Sequence, residues 1–446
     1  MLDESAALEF ANSSVKSALR SGATQCEVGI SISKRFACEA RAATVTKLEQ
    51  STGESLHARV FVDGRKATLS TTDLRKSSVD ALLKGLVEAA QFVARDQFAG
   101  LPEAHDGLRD GVPLNLFSDE LAARKAEPKL EEALELERRV RSADARIHNS
   151  NGSHFSDAST ITVLANSNDF AGAYRSTRAA RSCSPVADDG STKRTGSYGT
   201  AGRHLSSLEP VADVAKKAVQ RTVELFGAKK PHTMRVPVIF ERDVASGVLA
   251  DIFTALSGSN ISNGNSWAVD RIGERIGSSV ANMCDDGRLD GALGSSPFDG
   301  EGVPTGRTVV FENGVLRSYL LDTYYARKLS MKTTGNSTGG GIAPNTFYLA
   351  PGACSLEELI ASTPRGVLVT DTIGFATEYA TGTYSRGAHG FYIEGGERAY
   401  PIDEFTIAST FAEMLASIDA VASDLVFDSS IASPSFRVAE MTVSGN

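Results

Sequence analysis

The chain contains no apolar run approaching the roughly 20 residues that a helix needs to cross a bilayer. Its five cysteines (Cys26, Cys38, Cys183, Cys284 and Cys354) are odd in number, widely spread and form no CxxC. That set suits reduced thiols packed as small hydrophobes better than a disulfide framework. An excess of basic residues is also missing. The formal net charge is -9, which argues against nucleic acid or an anionic membrane as the main partner, although a local basic patch is compatible with it. The first residues, "MLDESAALEF", are acidic where a signal peptide is basic. Together these absences predict a cytoplasmic protein with no membrane and no nucleic-acid partner. Low-complexity tracts and repeats of constant period are absent as well.

Metal ligands are missing at usable spacing. A zinc peptidase typically carries two histidines one helical turn apart, with a carboxylate between them as general base. The seven histidines here are His57, His105, His148, His154, His204, His232 and His389. None lies three to five residues from another, so neither HExxH nor HExxxH occurs, and the expectation is that this chain alone holds no metal and no cofactor. "TGNSTGGG" (334–341) lacks the GK[ST] ending of a phosphate-binding loop and reads as a glycine loop allowing close backbone approach. "DDGRLDG" (285–291) lacks EF-hand spacing and reads as a turn.

What is present is an ordinary globular composition, 41% hydrophobic and 23% charged over 446 residues, enough for two or three domains. Leu8, Ala11, Val15 and Leu19 predict a helix ending near Gly22, and Val28, Ile30 and Ile32 a strand with one wet face. Asp63-Gly64 sits between two β-rich runs, a hairpin signal. Ser78, Leu82, Leu86, Ala89 and Val93 predict a second helix, completing an N-terminal α+β domain over 1–95. Residues 95–118 read as a linker or surface loop. A central domain over 119–227 follows, with a charged helix, a polar β-meander whose serines, threonines and arginines suggest a solvated or ligand-facing side, and a closing helix. The C-terminal domain, 233–446, reads as mixed α/β and rich in antiparallel strands. It opens on "RVPVIFE", followed by a helix capped by Asp243 with Val244, Val248 and Ile252 as its apolar stripe. Asn313-Gly314 predicts a hairpin, and Ser355 with Glu358 a capping box. "RGVLVTD" and "GFYIE" read as strands, "TFAEMLASIDAVASD" as a helix, and "SFRVAEMTV" as a closing strand. The fold class expected is α+β.

One stretch concentrates polar chemistry: "TGTYSRGAHGFYIEGGE", residues 381–397. Ser385 sits between Gly382 and Gly387, one residue too far from the first glycine for the GxSxG elbow of an α/β-hydrolase. The nearby His389 does not rescue a nucleophile reading, because a triad requires spatial and not sequence proximity. A polar binding loop is the better reading, with a rigid corner of the β core as the structural alternative.

Several motifs resemble the TldD/PmbA family, and specifically its TldE (PmbA) branch. They are "SSPFDGEGVPTGRTVVFENGVLRSYLLDTYYARKL", "STGGG", "RGVLVTDTIG" and "TGTYSRGAHGFYIEGGERAYPIDEFTIAS", with weaker similarity over most of the chain. The resemblance implies one subunit of a heteromeric metalloprotease acting on unfolded peptides. In that pairing a TldD-like subunit carries zinc on HExxxH, in the helix after the first strand of the C-terminal domain, and a cysteine near its C-terminus. Here the corresponding helix, "DVASGVLADIFTALSG", has no histidine, and "FDSSIASPSFRVAEMTVSGN" has no cysteine. The resemblance thus implies the non-zinc subunit, with zinc in the partner and no catalytic residue in this chain. Thr381, Tyr384, Ser385, Arg386, His389 and Tyr392 become candidates for contact with peptide or partner, by strand addition along "GFYIE". Two alternatives stay open: a stand-alone peptide-binding or chaperone-like homodimer, and an independent hydrolase whose site follows none of these motifs.

Overall fold

A computed structural model describes residues 2–103 and 113–445. Asp3 caps the first helix, α1 (Glu4–Arg20), by accepting the Ala6 N–H. Its buried stripe is Ala7, Ala11, Val15 and Ala18. Leu19 of the expected stripe is exposed, since small alanines let the helix lie closer to the sheet. Strands β1 (Gln25–Arg41), β2 (Thr44–Val62) and β3 (Arg65–Thr71) pair as antiparallel neighbours. Val28, Ile30 and Ile32 are buried, as their alternation predicts. Asp63 and Gly64 both take left-handed φ (48° and 78°), the requirement of a two-residue hairpin turn. Helix α2 (Lys76–Ala90) is rotated from expectation: Val79, Leu83, Leu86, Val87 and Ala90 are buried, while Leu82 and Val93 face solvent.

The expected linker lies partly outside the described residues. Beyond it come α3 (Asp119–Ala123) and α4 (Ala126–Ala143). The predicted meander follows as β4 (Ile147–Asn166), β5 (Ala171–Asp188), β6 (Lys193–Thr195) and β7 (Tyr198–Gly202), closed by α5 (Val211–Val223). β4 pairs with β1 from Glu27↔Asn166 to Ala40↔Ser153. Segments 1–95 and 119–227 therefore share one seven-stranded sheet, in the order β3-β2-β1-β4-β5-β6 with β7 beside β5.

The C-terminal segment begins with β8 (Met234–Phe240), α6 (Arg242–Leu256) and α7 (Gly258–Ser262). Asp243 does not cap α6. It lies in the first turn, 2.6 Å from the Arg221 guanidinium, which holds it as an ion pair. A five-stranded sheet is built from β9 (Met283–Asp286), β10 (Arg307–Glu312) and β11 (Val315–Leu316), then, after α8 (Thr323–Lys328), from β12 (Phe347–Leu349) and a strand near the C-terminus. The β10–β11 turn uses Asn313 and Gly314 at positive φ, and α9 (Leu356–Ala361) opens on the predicted capping box. Next come β13 (Arg365–Glu378), β14 (Thr383–Glu394), β15 (Glu397–Thr410), α10 (Phe411–Ala416), β16 (Ile418–Val421), β17 (Ile431–Ala432) and β18 (Phe436–Ser444). The helix expected over "TFAEMLASIDAVASD" stops at Ala416, because Ile418 and Val421 pair with β18 and are buried there.

β8, β13, β14, β15 and β18 close into a ring, since β15 pairs with both β14 and β18. Val238, Phe240, Tyr384 and Val438 from this ring share one core with Phe411 of α10 and Val244, Val248 and Ile252 of α6. Each such side chain contributes about 1.5–3 kcal/mol on burial, so α6 is fixed against the barrel. The fold class is α+β.

The first sheet and the C-terminal segment are joined by a buried ionic triad. Arg59 on β2 donates to both Glu27 oxygens (2.8 and 3.0 Å) and to Glu301 Oε1 (3.0 Å). All three residues are buried.

Candidate functional site

The stretch singled out in the sequence forms the end of the β13–β14 turn, all of β14 and the turn into β15. Along a strand, alternate side chains share a face, and here the alternation divides the candidates. Tyr384 and Arg386 point one way. Arg386 Nη2 reaches Asp251 Oδ2 of α6 at 2.8 Å and Thr377 Oγ1 at 3.1 Å, and Nη1 bonds the Gly374 carbonyl. Asp251 also accepts from the Thr377 hydroxyl and the Tyr379 phenol, both at 3.2 Å. The ion pair is enclosed, with its side chains 13% and 11% exposed. Asp251, Thr377 and Tyr379 were not singled out in the sequence. Only the spacing of Asp251 inside the apolar stripe of α6 could have marked it, as a carboxylate that burial obliges to find a partner.

Tyr384 is a core residue, packed edge-on against Phe240 and Phe411, and its ring offers no surface to a peptide or partner. Thr381 is exposed in the turn, its hydroxyl 2.9 Å from that of Thr383. Gly382 (φ 74°) lets the turn pass close over Trp267, where a Cβ would meet the indole at 3.0 Å. Ser385 and His389 lie on the face opposite Arg386. Four strand residues separate them by about 13 Å, so they form no nucleophile–base pair. Tyr392 stacks on Tyr400 and accepts a 2.7 Å bond from Arg365 Nε. The six candidates thus do not converge on one point.

Strand addition along "GFYIE" is corrected by the topology. β14 lies between β13 and β15 and pairs with both, so it has no open edge for another strand. The open edge belongs to β13. Its pairing with β8 covers only Val367 to Val369, and among the described residues no strand follows β13 on that side beyond Val369. Thr370, Asp371 and Thr372 on this stretch line a cleft of about 640 Å³ between α5 and the start of α6. The walls are ionic: Arg221 bridges Glu241 (2.8 Å) and Asp243, and Arg242 Nη2 donates to the Tyr198 hydroxyl at 2.8 Å. Burial raises the Glu241 carboxyl. Asp243, although also desolvated, is held below its ordinary range by Arg221 and Arg242.

A second cavity, about 400 Å³, separates the first sheet from the glycine loop at 336–339. The loop does run close to its neighbours, since a Cβ on Gly300 would overlap the Thr338 carbonyl carbon at 2.3 Å. Asp285 lies in β9, ahead of the turn. Burial raises its carboxyl to about 6, against hydrogen bonds from Asn336 and Asn345. Asp299 is raised to about 8 by burial and then by the Glu301 charge, against three backbone N–H donors.

Residues 119–226 match the PmbA/TldA metallopeptidase central domain, and residues 233–445 the PmbA/TldA metallopeptidase C-terminal domain. The chain belongs to the PmbA/TldD family. It is 32% identical over 422 residues to metalloprotease PmbA of Escherichia coli O157:H7, covering 94% of this chain and 90% of that one. A metalloprotease TldD homolog of Haemophilus influenzae is 25% identical over 350 residues, 72% of each chain. The crystal structure of TldE from Thermococcus kodakarensis has the same fold, with a TM-score of 0.89 at 21% identity over 98% of this chain and 100% of that one. The family's name implies a metal, and the described residues do not fit one. α6 has no histidine, and its enclosed carboxylate, Asp251, is already matched by the Arg386 cation. Among the described residues no three His, Cys, Asp or Glu side chains converge as metal ligands. Among the described residues no helix is long and apolar enough to cross a membrane.

Proposed function

We propose that this chain is the TldE/PmbA-like, metal-free subunit of a heteromeric metalloprotease that cleaves unfolded peptides, with a TldD-like HExxxH subunit carrying the zinc. The observation that carries the reading is the Asp251–Arg386 pair. Beside α6, where the zinc-bearing subunit needs a cation, this chain supplies one of its own, the Arg386 guanidinium of β14, paired with Asp251 of the helix. The relatives named PmbA and TldD support a protease role. This chain's part is to hold substrate. The open edge of β13 beyond Val369, beside a cleft with charged walls, suits an extended peptide bound through its main chain, which gives affinity with little demand on sequence. A folded domain presents no free strand to such an edge.

Metal analysis after exhaustive dialysis tests the assignment. Well under one zinc per ten chains is the expected content, and one tightly held zinc per chain overturns it. Affinity purification from native cells should bring down an HExxxH protein in equal amount.

A further inference from the structure

The ligand-facing side expected of the β-meander is one face of the first sheet. Residues paired across strands share a face, and one row reads Ser51, Arg35, Ala158 and Arg178 across β2, β1, β4 and β5. The next row on one side is Gly53, Ser33, Thr160 and Ser176, and on the other Glu49, Ala37, Ser156 and Ala180. Phe36, Phe155 and Ala179 point the opposite way and are buried with Ala133 of α4. The face without helices is thus a floor of small side chains from which two arginines rise. They border a groove of about 410 Å³. Its two carboxylates are already matched. Glu49 lies 3.0 Å from Lys47 Nζ, and Asp157, turned to the helix side, lies 2.5 Å from Lys129 Nζ. Arg35 and Arg178 are exposed, and among the described residues their side chains have no ion pair or hydrogen bond. The groove therefore keeps two uncompensated positive charges in a chain whose net charge is -9.

We propose that this groove binds an acidic segment of an extended peptide, with Arg35 and Arg178 each pairing with a carboxylate. The two arginines stand two strand spacings apart, about 10 Å between their Cα atoms. In an extended chain, side chains at i and i+2 lie on one side about 7 Å apart, within reach of two guanidiniums on flexible stems. A guanidinium also matches a carboxylate with two parallel N–H donors. Only Ala158 stands between the arginines, so a peptide backbone can lie close to the sheet, and the Ser51 and Ser156 hydroxyls in the groove offer it hydrogen bonds. A long polyanion such as nucleic acid fits less well, since beyond these two residues the acidic chain repels it. The choice of a peptide rests on the reading that this chain holds substrate. The groove adds to it a contact on a different sheet from β13, and a preference for carboxylates that main-chain pairing does not supply.

Fluorescence anisotropy on the full-length chain tests the proposal, with a labelled peptide of about 12 residues alternating Glu and Ser as probe. It should bind at least about fivefold more tightly than the same peptide with Gln for Glu, and more weakly as salt rises from about 50 to 500 mM. Arg35→Ala and Arg178→Ala should each weaken binding about fivefold with circular dichroism unchanged, and Arg178→Lys should lose less. Lys84→Ala, an exposed site on α2 over the opposite face of the sheet, should change nothing. Equal affinity for the Glu and Gln peptides overturns the proposal. So does a preference for Glu that survives both arginine variants, and so does inorganic phosphate binding more tightly than the peptide, which would mark a simple oxyanion site. Binding is read on this chain alone, so a failure of cleavage in a mixture with an HExxxH chain counts against the subunit reading and not against this groove.

Discussion

The Arg386 guanidinium lies 2.8 Å from the Asp251 carboxylate, so the polar stretch of β14 is fastened to α6 by a nearly enclosed ion pair. Removing either partner strands a charge in a poorly solvated place. Arg386→Ala should cost roughly 3 kcal/mol of stability, read as a lowered urea midpoint at unchanged slope. The double variant with Asp251→Ala should recover at least about 1 kcal/mol of the summed single losses. Simple additivity would show that the pair is not coupled.

Ser385→Ala should leave cleavage by the partnered complex within about threefold of wild type, because His389 is too far along the strand to act as its base. Arg386→Ala should do more harm, through lost charge-assisted hydrogen bonds. A loss of about a thousandfold or more on Ser385→Ala, the scale of a removed nucleophile, would restore the serine-hydrolase reading.

Much of the fold was legible because turns and caps are local. Asp63-Gly64, Asn313-Gly314 and the Ser355–Glu358 box all stand where the sequence puts them. The faces of α1 and α2 were misread, since alanine stripes bury as well as leucine stripes and periodicity alone does not say which side meets the sheet. "IDAV" became a strand through pairing with β18, a partner about 20 residues away that no local pattern announces. At the site, Arg386 stood out in the sequence as a candidate for contact with peptide or partner, and the structure ties it to Asp251 within the chain. Asp251 did not stand out, because it is 135 residues distant and surrounded by apolar neighbours. Tyr384 looked like a surface handle, and only the ring closure shows it turned into the core.

Arg59→Met should destabilise the chain by about 3–5 kcal/mol, because Glu27 and Glu301 would be left buried without their shared cation. Thermal unfolding followed by circular dichroism measures this. A loss below about 1 kcal/mol would mean that the triad does not hold the sheet to the C-terminal segment.

Asp285 and Asp299 should make stability fall as pH rises. In the unfolded chain both carboxyls titrate near 4, whereas in the fold they keep their protons up to about 6 and about 8. Between pH 4 and 8 the native state therefore binds more protons than the unfolded state, and stability drops with pH, by at most about 1.4 kcal/mol per unit for each group. Asp299→Asn removes one of these groups. The stability advantage of wild type over this variant should shrink steadily from pH 5 to pH 8, and a pH-independent difference would contradict the assignment.

The most direct test of the central claim is cleavage of a disordered peptide by this chain alone, by a TldD-like HExxxH chain alone, and by both together. A stably folded globular protein serves as the competing substrate. The account predicts cleavage of the peptide only in the mixture, sparing of the folded protein, and complete loss when a chelator is added. Peptide cleavage by this chain alone in the presence of chelator would contradict it.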